Sequence, residues 1–312
     1  MALSLDDRQT RFFQTGNAFC VTGHLTHPRL YQVAIANDAL RAFLSAVAAV
    51  DVVELEYVPY RRFGLARELE RILGNAFGQI LRAILRDRAS GSFVTGVDRT
   101  TADPADYVKF ATAVSHLAGP SNFDAMSGTY YARFTVKDTD ESDSYLRKAY
   151  HTLTLHTDGT FVDEPTDWIL LMKFAEANAR GGDSRLLHLD DWEELSRFAN
   201  DPLAAHPFAY RPASSKNVAQ PLKRRTFFDA GGRPGLCFID QFVYPETIAQ
   251  AAYLEQLSES MERSAGTVEV ALPVGELFML NNAFWAHGRA AFEQHPGLLR
   301  ELMRQRGGFA PE

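Results

Sequence analysis

The spacing of apolar positions changes partway along this chain and divides it into two textures. Between residues 65 and 88, Leu69, Ile72, Leu73, Phe77, Ile80, Leu81, Ile84 and Leu85 recur three and four apart, the period of one helix face. Asn37 and Asp38 precede a second helical stretch at 39–50 and suit the capping of its first turn. A third helix opens at Asp103-Pro104 and runs toward His116, with Gly119 beyond its end. Proline is tolerated there because the first N–H groups of a helix have no partner inside it. Residues 1–120 therefore read as a mostly helical scaffold.

From about residue 121 the apolar runs shorten, alternate and are broken by Gly, Asp, Asn and Pro. Strands are predicted at 130–137, 150–156, 168–174, 184–189, 225–228, 236–239, 267–271, 276–280 and 302–309, with helices at 190–200 and 245–264. Many short strands with few crossover helices favour an antiparallel sandwich or jelly roll over a parallel sheet. The fold class is thus mixed α+β, one domain over 1–312 with its β core at 121–312. Residues 204–220 are rich in Pro and Ser and read as a surface loop able to act as a lid.

Composition narrows the function. A chain of 312 residues, 46% hydrophobic, buries a core large enough for a single elaborated domain. A net charge of −7 supplies no basic field for nucleic acid, and no run of apolar residues approaches the ~20 of a membrane helix. Cys20 and Cys237 stand far apart with no second thiol near either, and the first residues lack a basic-then-apolar leader. The expectation is a cytoplasmic protein without a disulfide framework.

The chemistry begins at Leu155-His156-Thr157-Asp158-Gly159. On a strand, His156 and Asp158 would leave the same face and close on one cation. Asn282-Ala283-Phe284-Trp285-Ala286-His287-Gly288-Arg289 offers the third ligand, His287, and two histidines with one carboxylate make the facial triad of non-haem Fe(II) oxygenases. An oxygenase using 2-oxoglutarate also needs a cation for the far carboxylate of that acid, best an arginine with its planar fork. Arg300, Arg304 and Arg306 share one face of a C-terminal strand, opposite Glu301, Met303 and Gln305. Gly181-Gly182-Asp183-Ser184 forms a turn whose Ser184 hydroxyl can donate to the same carboxylate. His24, His27, His116, His151, His188, His206 and His295 show no ligand pattern and are expected to be structural.

The segments Ser121-Asn122-Phe123-Asp124-Ala125-Met126-Ser127-Gly128, Tyr130-Tyr131-Ala132-Arg133-Phe134, Asp143-Ser144-Tyr145-Leu146-Arg147, Leu187-His188-Leu189-Asp190-Asp191-Trp192, Ser215-Lys216-Asn217-Val218, Ile239-Asp240-Gln241-Phe242-Val243 and Arg300-Glu301-Leu302-Met303-Arg304-Gln305-Arg306-Gly307 carry a more specific signal. Together they resemble the carbon-starvation-induced glutarate 2-hydroxylases, over about residues 65–309. That resemblance implies a double-stranded β-helix core. It implies hydroxylation of glutarate to L-2-hydroxyglutarate in lysine catabolism, with 2-oxoglutarate and O2 converted to succinate and CO2, and a homotetramer. It makes His156, Asp158 and His287 the Fe(II) ligands. Ser184 matches the family's cosubstrate turn, with Arg304 and Arg306 favoured as the grips for the two acids and Arg300 a third candidate. Asn122, Tyr130, Tyr131, Arg133, Lys216 and Ser121 are candidate donors to glutarate. Rival readings are the same chemistry on another small acid, a metal-free jelly-roll acid-binding protein, and a zinc hydrolase on the same ligands.

Overall fold

The computed structural model describes residues 14–97, 99–138, 150–212 and 220–311. The first third holds strands β1 (Gln14–Thr15), β2 (Phe19–Gly23) and β3 (Leu30–Ile35), helices α1 (Asn37–Ala46), α2 (Glu54–Tyr57), α3 (Pro59–Leu73) and α4 (Ala76–Arg86), strand β4 (Ser92–Gly96) and helix α5 (Pro104–Ala118). There follow β5 (Ala132–Lys137), β6 (Leu153–His156), β7 (Trp168–Ala177), β8 (Ser184–His188), helix α6 (Leu195–Ala199), β9 (Pro207–Tyr210), β10 (Leu222–Arg225), β11 (Phe227–Asp229), β12 (Pro234–Leu236) and β13 (Val243–Tyr244). Helix α7 (Ile248–Arg263) and strands β14 (Val268–Val270), β15 (Glu276–Asn281), β16 (Trp285–Arg289) and β17 (Leu299–Gly307) complete the chain.

Two sheets face each other. The larger has eight strands in the order β1-β2-β3-β4-β15-β7-β17-β5, and the smaller has four in the order β14-β8-β16-β6. This is the jelly-roll core expected from the strand pattern, with helices against one outer face. Residues 1–120 also hold strands that the mostly helical reading did not include, and β1–β4 extend the large sheet through the pairing of β4 with β15. Strands of five or six residues, Phe19–Gly23 and Leu30–Ile35, carry too few apolar positions to stand out beside long helical stripes. β3 and β4 run parallel, and helices α1–α4 supply the long crossover a parallel pair requires.

Alternation along the central strands divides the apolar residues into two cores. On β7, Leu170 and Met172 join Leu277, Met279 and Met303 beneath the helices; Ile169 joins Phe278, Leu280 and Leu302 between the sheets. Both faces being buried, β7 and β15 read as continuous apolar runs. Helix α5 lies deepest and starts as its sequence foretold: Asp103 accepts the Ala105 N–H at 2.9 Å, Pro104 is at its first turn, and Gly119 follows its end. Elsewhere the structure differs from expectation. Residues 190–200 form a 3-10 turn at Leu189–Asp191 and the short α6, with Asp190 and Asp191 paired to Arg88 and Arg29. Part of the expected 204–220 loop is β9, while 213–219, with Lys216, lie outside the described residues.

Candidate active site

β6 and β16 run antiparallel and set His156 directly opposite His287, with ring centroids 4.3 Å apart. The pairing is irregular beyond His287, and Gly288 fits there because a Cβ would stand 2.5 Å from the Leu153 carbonyl oxygen. Asp158 is not on the strand, which ends at His156, so the expected same-strand pairing of the two ligands is corrected. The carboxylate arrives on a loop that Asn282 fixes. The Asp158 N–H donates to Asn282 Oδ1 at 2.9 Å, while Asn282 Nδ2 donates to the Asp158 and Thr166 carbonyls at 2.9 and 2.8 Å. Thr157 N–H donates to the Phe238 carbonyl at 2.8 Å, and Phe238 N–H donates back to the Thr157 hydroxyl at 3.0 Å.

One ligand atom from each of His156, Asp158 and His287 lies within 4.8 Å of the others. Thr154 O is 2.7 Å from His156 Nδ1, and a carbonyl only accepts, so Nδ1 carries the proton and Nε2 keeps its lone pair. His287 Nδ1 and Asp158 Oδ2 are buried without a hydrogen-bond partner. Two imidazoles and a carboxylate whose ligand atoms converge in this way fit a divalent transition metal such as Fe(II). On the edge strand β6, Leu155 N–H donates to Glu262 Oε1 at 2.6 Å, and Glu262 is itself paired with Arg185. That bond satisfies the outward N–H next to His156.

Arg304 dominates the local field. It donates to Asp158 Oδ1 at 3.2 Å and to Asp124 Oδ2 at 2.9 Å. Burial by itself would raise the Asp158 pKa, but Arg304, then His287, His156 and Arg306, hold it well below the usual carboxylate range. Burial and the neighbouring His156 push His287 down to about 3, so its imidazole is neutral, as ligation requires. Asp124 is likewise lowered, its burial outweighed by Arg304 and Arg306.

The ligands open on a cavity of about 110 Å³ between the sheets. Phe134, Val136, Leu171, Arg300, Leu302 and Arg304 line it from the large sheet; Leu153, Ser184 and Arg289 join the histidines from the small one; Phe161, Ile239, Gln241 and Phe242 complete it. The strand parity expected for β17 therefore holds, with Arg300 and Arg304 toward the cavity and Gln305 reaching Thr112 on α5. Arg306, favoured with Arg304, is buried and does not line the cavity; its charge lies against Arg304, Asp158, Asp124 and Glu164. Burial lowers Arg300 to about 10.

The candidate glutarate donors are engaged elsewhere. Tyr130 bonds Thr112 at 2.9 Å under Arg62, Tyr131 donates to Glu56 at 3.3 Å, and Arg133 pairs with Glu301 at 2.7 Å. On β5 only even positions face the cavity, Phe134 and Val136, which puts odd-numbered Arg133 on the outer side. Asn122 ties the loop at Pro165 with a 2.8 Å bond, and Ser121 bridges to Gly307. The remaining histidines are structural where contacts are described: His27 and His188 pack on Trp285, and His116 on Tyr130. Sequence reasoning missed Asp124, Arg289, Asn282 and Glu262. Three of them stood in or beside the motif segments without a role, and Glu262 gave no local signal.

A jelly roll that presents two histidines and a carboxylate to a cavity between its sheets defines the class of facial-triad metal proteins. The chain belongs to the CsiD family, whose sequence profile matches residues 19–309. It is 45% identical over 296 residues to a glutarate 2-hydroxylase of Klebsiella pneumoniae (strain 342), covering 94% of this chain and 91% of that one. Among solved structures, asparagine oxygenase in complex with Fe(II), a hydroxyasparagine and succinate is similar with a TM-score of 0.69 at 17% identity, over 88% of this chain and 93% of that one. The non-haem iron oxygenase OrfP with Fe and α-ketoglutaric acid has a TM-score of 0.64 at 16% identity, over 88% and 93%. These two share the fold.

Proposed function

We infer that this protein is an Fe(II)- and 2-oxoglutarate-dependent dioxygenase that hydroxylates glutarate to L-2-hydroxyglutarate. The observation that carries the reading is the meeting of the His156, Asp158 and His287 ligand atoms with two arginines, Arg300 and Arg304, in one cavity. Family membership and the 45% identical glutarate 2-hydroxylase support the choice of substrate. When bound by the triad, Fe(II) supplies the redox chemistry by which O2 converts 2-oxoglutarate to succinate and CO2 and places one oxygen on C2 of glutarate.

The chain's own residues do the aiming. Thr154 O holds the His156 ring in its ligating tautomer, and Asn282 sets the loop that carries Asp158. Arg300 and Ser184, at the end of the cavity bounded by β8 and β17, take the far carboxylate of 2-oxoglutarate. Arg304, beside Asp158, steers a carboxylate of glutarate, with the buried Arg306 raising the positive field behind it. Leu153, Leu171, Phe161, Phe242 and Leu302 keep water from the reacting carbon.

The same resemblance supports a homotetramer and a role in lysine catabolism, and a chain with only two cysteines, far apart, supports a cytoplasmic location. Succinate release measured across a panel of small acids tests the substrate: glutarate should stimulate it most, and no stimulation by glutarate would sink the assignment. Light scattering should return four times the 34.8 kDa of one chain.

A further inference from the structure

The geometry points to Arg289 as a second arginine of the cosubstrate site, closing with Arg300 and Ser184 a two-guanidinium clamp on the far carboxylate of 2-oxoglutarate. The inference rests on the proposed reading of the cavity and assigns a binding role to a residue that neither the triad nor the C-terminal arginine run includes.

Arg289, Arg300 and Ser184 line the same cavity, and in the β16–β8 register Arg289 stands directly opposite Ser184. The guanidinium carbons of Arg289 and Arg300 lie 4.8 and 5.4 Å from the centroid of one ring, Phe292. That ring is buried against Gly182, whose φ is +78° and whose missing Cβ would overlap it. The Gly181-Gly182 turn therefore does more than reverse the chain: it clears the seat for the aromatic platform on which both cations rest. The Arg289 fork is further oriented by the carbonyls of Ala290 and His151, at 3.3 and 3.2 Å.

Two cations held over one ring in a half-buried site repel each other, and the repulsion is relieved by an anion between them. Arg300 forms no ion pair among the described residues, and its Nε is buried without a hydrogen-bond partner. A carboxylate has about four lone-pair sites, enough to accept from two guanidiniums and the Ser184 hydroxyl together. Arg304 stands apart, already bonded to Asp124 and Asp158, which leaves the Phe292 end as the place for the anion that needs the stronger grip.

The test is anaerobic titration of the Fe(II)-loaded protein with 2-oxoglutarate, followed by its visible absorption band and by calorimetry, for the parent, Arg289→Gln and Arg289→Lys. Arg289→Gln should weaken 2-oxoglutarate binding about tenfold or more, about 1.4 kcal/mol, with KM for glutarate within about twofold of the parent. Arg289→Lys keeps the charge but loses the fork, so its loss should fall between the two. Unchanged 2-oxoglutarate affinity in either folded variant, or weakening confined to glutarate, overturns the clamp. If Arg289→Gln does not fold, Arg289→Lys and a crystal of the parent with 2-oxoglutarate decide it: a far carboxylate out of hydrogen-bond reach of Arg289 overturns the assignment as well. Failure of the underlying reading is distinguishable, because the parent itself would then bind no 2-oxoglutarate.

Discussion

The two ends of the cavity are built from the same residue type and differ in how its charge is balanced. At the ligand end, Arg304 is spanned by Asp124 and Asp158, and a network through Asn282 fixes the loop before anything binds. At the Phe292 end, Arg289 and Arg300 are held by a ring and by carbonyl groups. The first arrangement is complete except for orphaned acceptors, so it calls for a cation. The second gathers two guanidiniums over one ring, with Arg300 in no ion pair among the described residues, so it suits an anion. A cavity with a cation seat at one end and an anion seat at the other orients an elongated, charged small molecule along its length.

The comparison can be broken most severely at the ligand end. His156→Ala or Asp158→Ala should abolish both metal-dependent turnover and metal binding, whereas stripping the parent with a chelator should abolish turnover and let added Fe(II) restore it. Calorimetry with the metal and succinate release separate these outcomes; retained turnover in either variant would falsify the triad. Next in size, Arg300→Gln removes a buried cation from the anion seat and should weaken 2-oxoglutarate on the order of a hundredfold, with metal affinity unchanged. A metal affinity that fell in parallel would mean the two ends are not separate. Asn282→Ala, which touches neither acid, should cost about 10–100-fold in metal affinity by releasing the Asp158 loop.

Acid sensitivity should arise away from the cavity as well as within it. Burial lowers His27 and His116 to about 4, below the ordinary histidine value of 6.5. The unfolded chain binds these protons first, so the stability they contribute is present above pH 6.5 and is lost as pH falls toward 4. The slope is about 1.4 kcal/mol per pH unit for each group at most. Urea unfolding of metal-free protein from pH 7.5 to 4.5 measures it, and a flat profile would contradict it. The smallest effect belongs to the outer face: Arg133→Ala breaks a half-exposed pair with Glu301, changing stability by about 1 kcal/mol or less and leaving KM for both acids in place. A raised KM there would return Arg133 to the site.

The periodicity of the chain carried the jelly-roll class, the capped helix at Asp103 and the parity that turns Arg300 and Arg304 inward. Tyr130, Tyr131 and Arg133 show where local chemistry misleads. They are plausible donors on paper, yet Thr112, Glu56 and Glu301, all distant in sequence, satisfy them. Arg306 and Arg304 look equivalent along a strand, yet Arg306 is buried away from the cavity and Arg304 lines it.

By itself the sequence pointed to His156, Asp158 and His287 as a metal-ligand set, and the fold brings them together, because such a set is specified by residue types and a spacing that one strand end and its neighbour can satisfy. Only the tertiary structure decided how the arginines are shared. Which cation is compensated depends on carboxylates brought from remote elements, Asp124 to Arg304 across the chain, and on a ring that fits because Gly182 leaves it room. Charge balance is a property of neighbours in space, and the order of residues along the chain does not encode those neighbours locally.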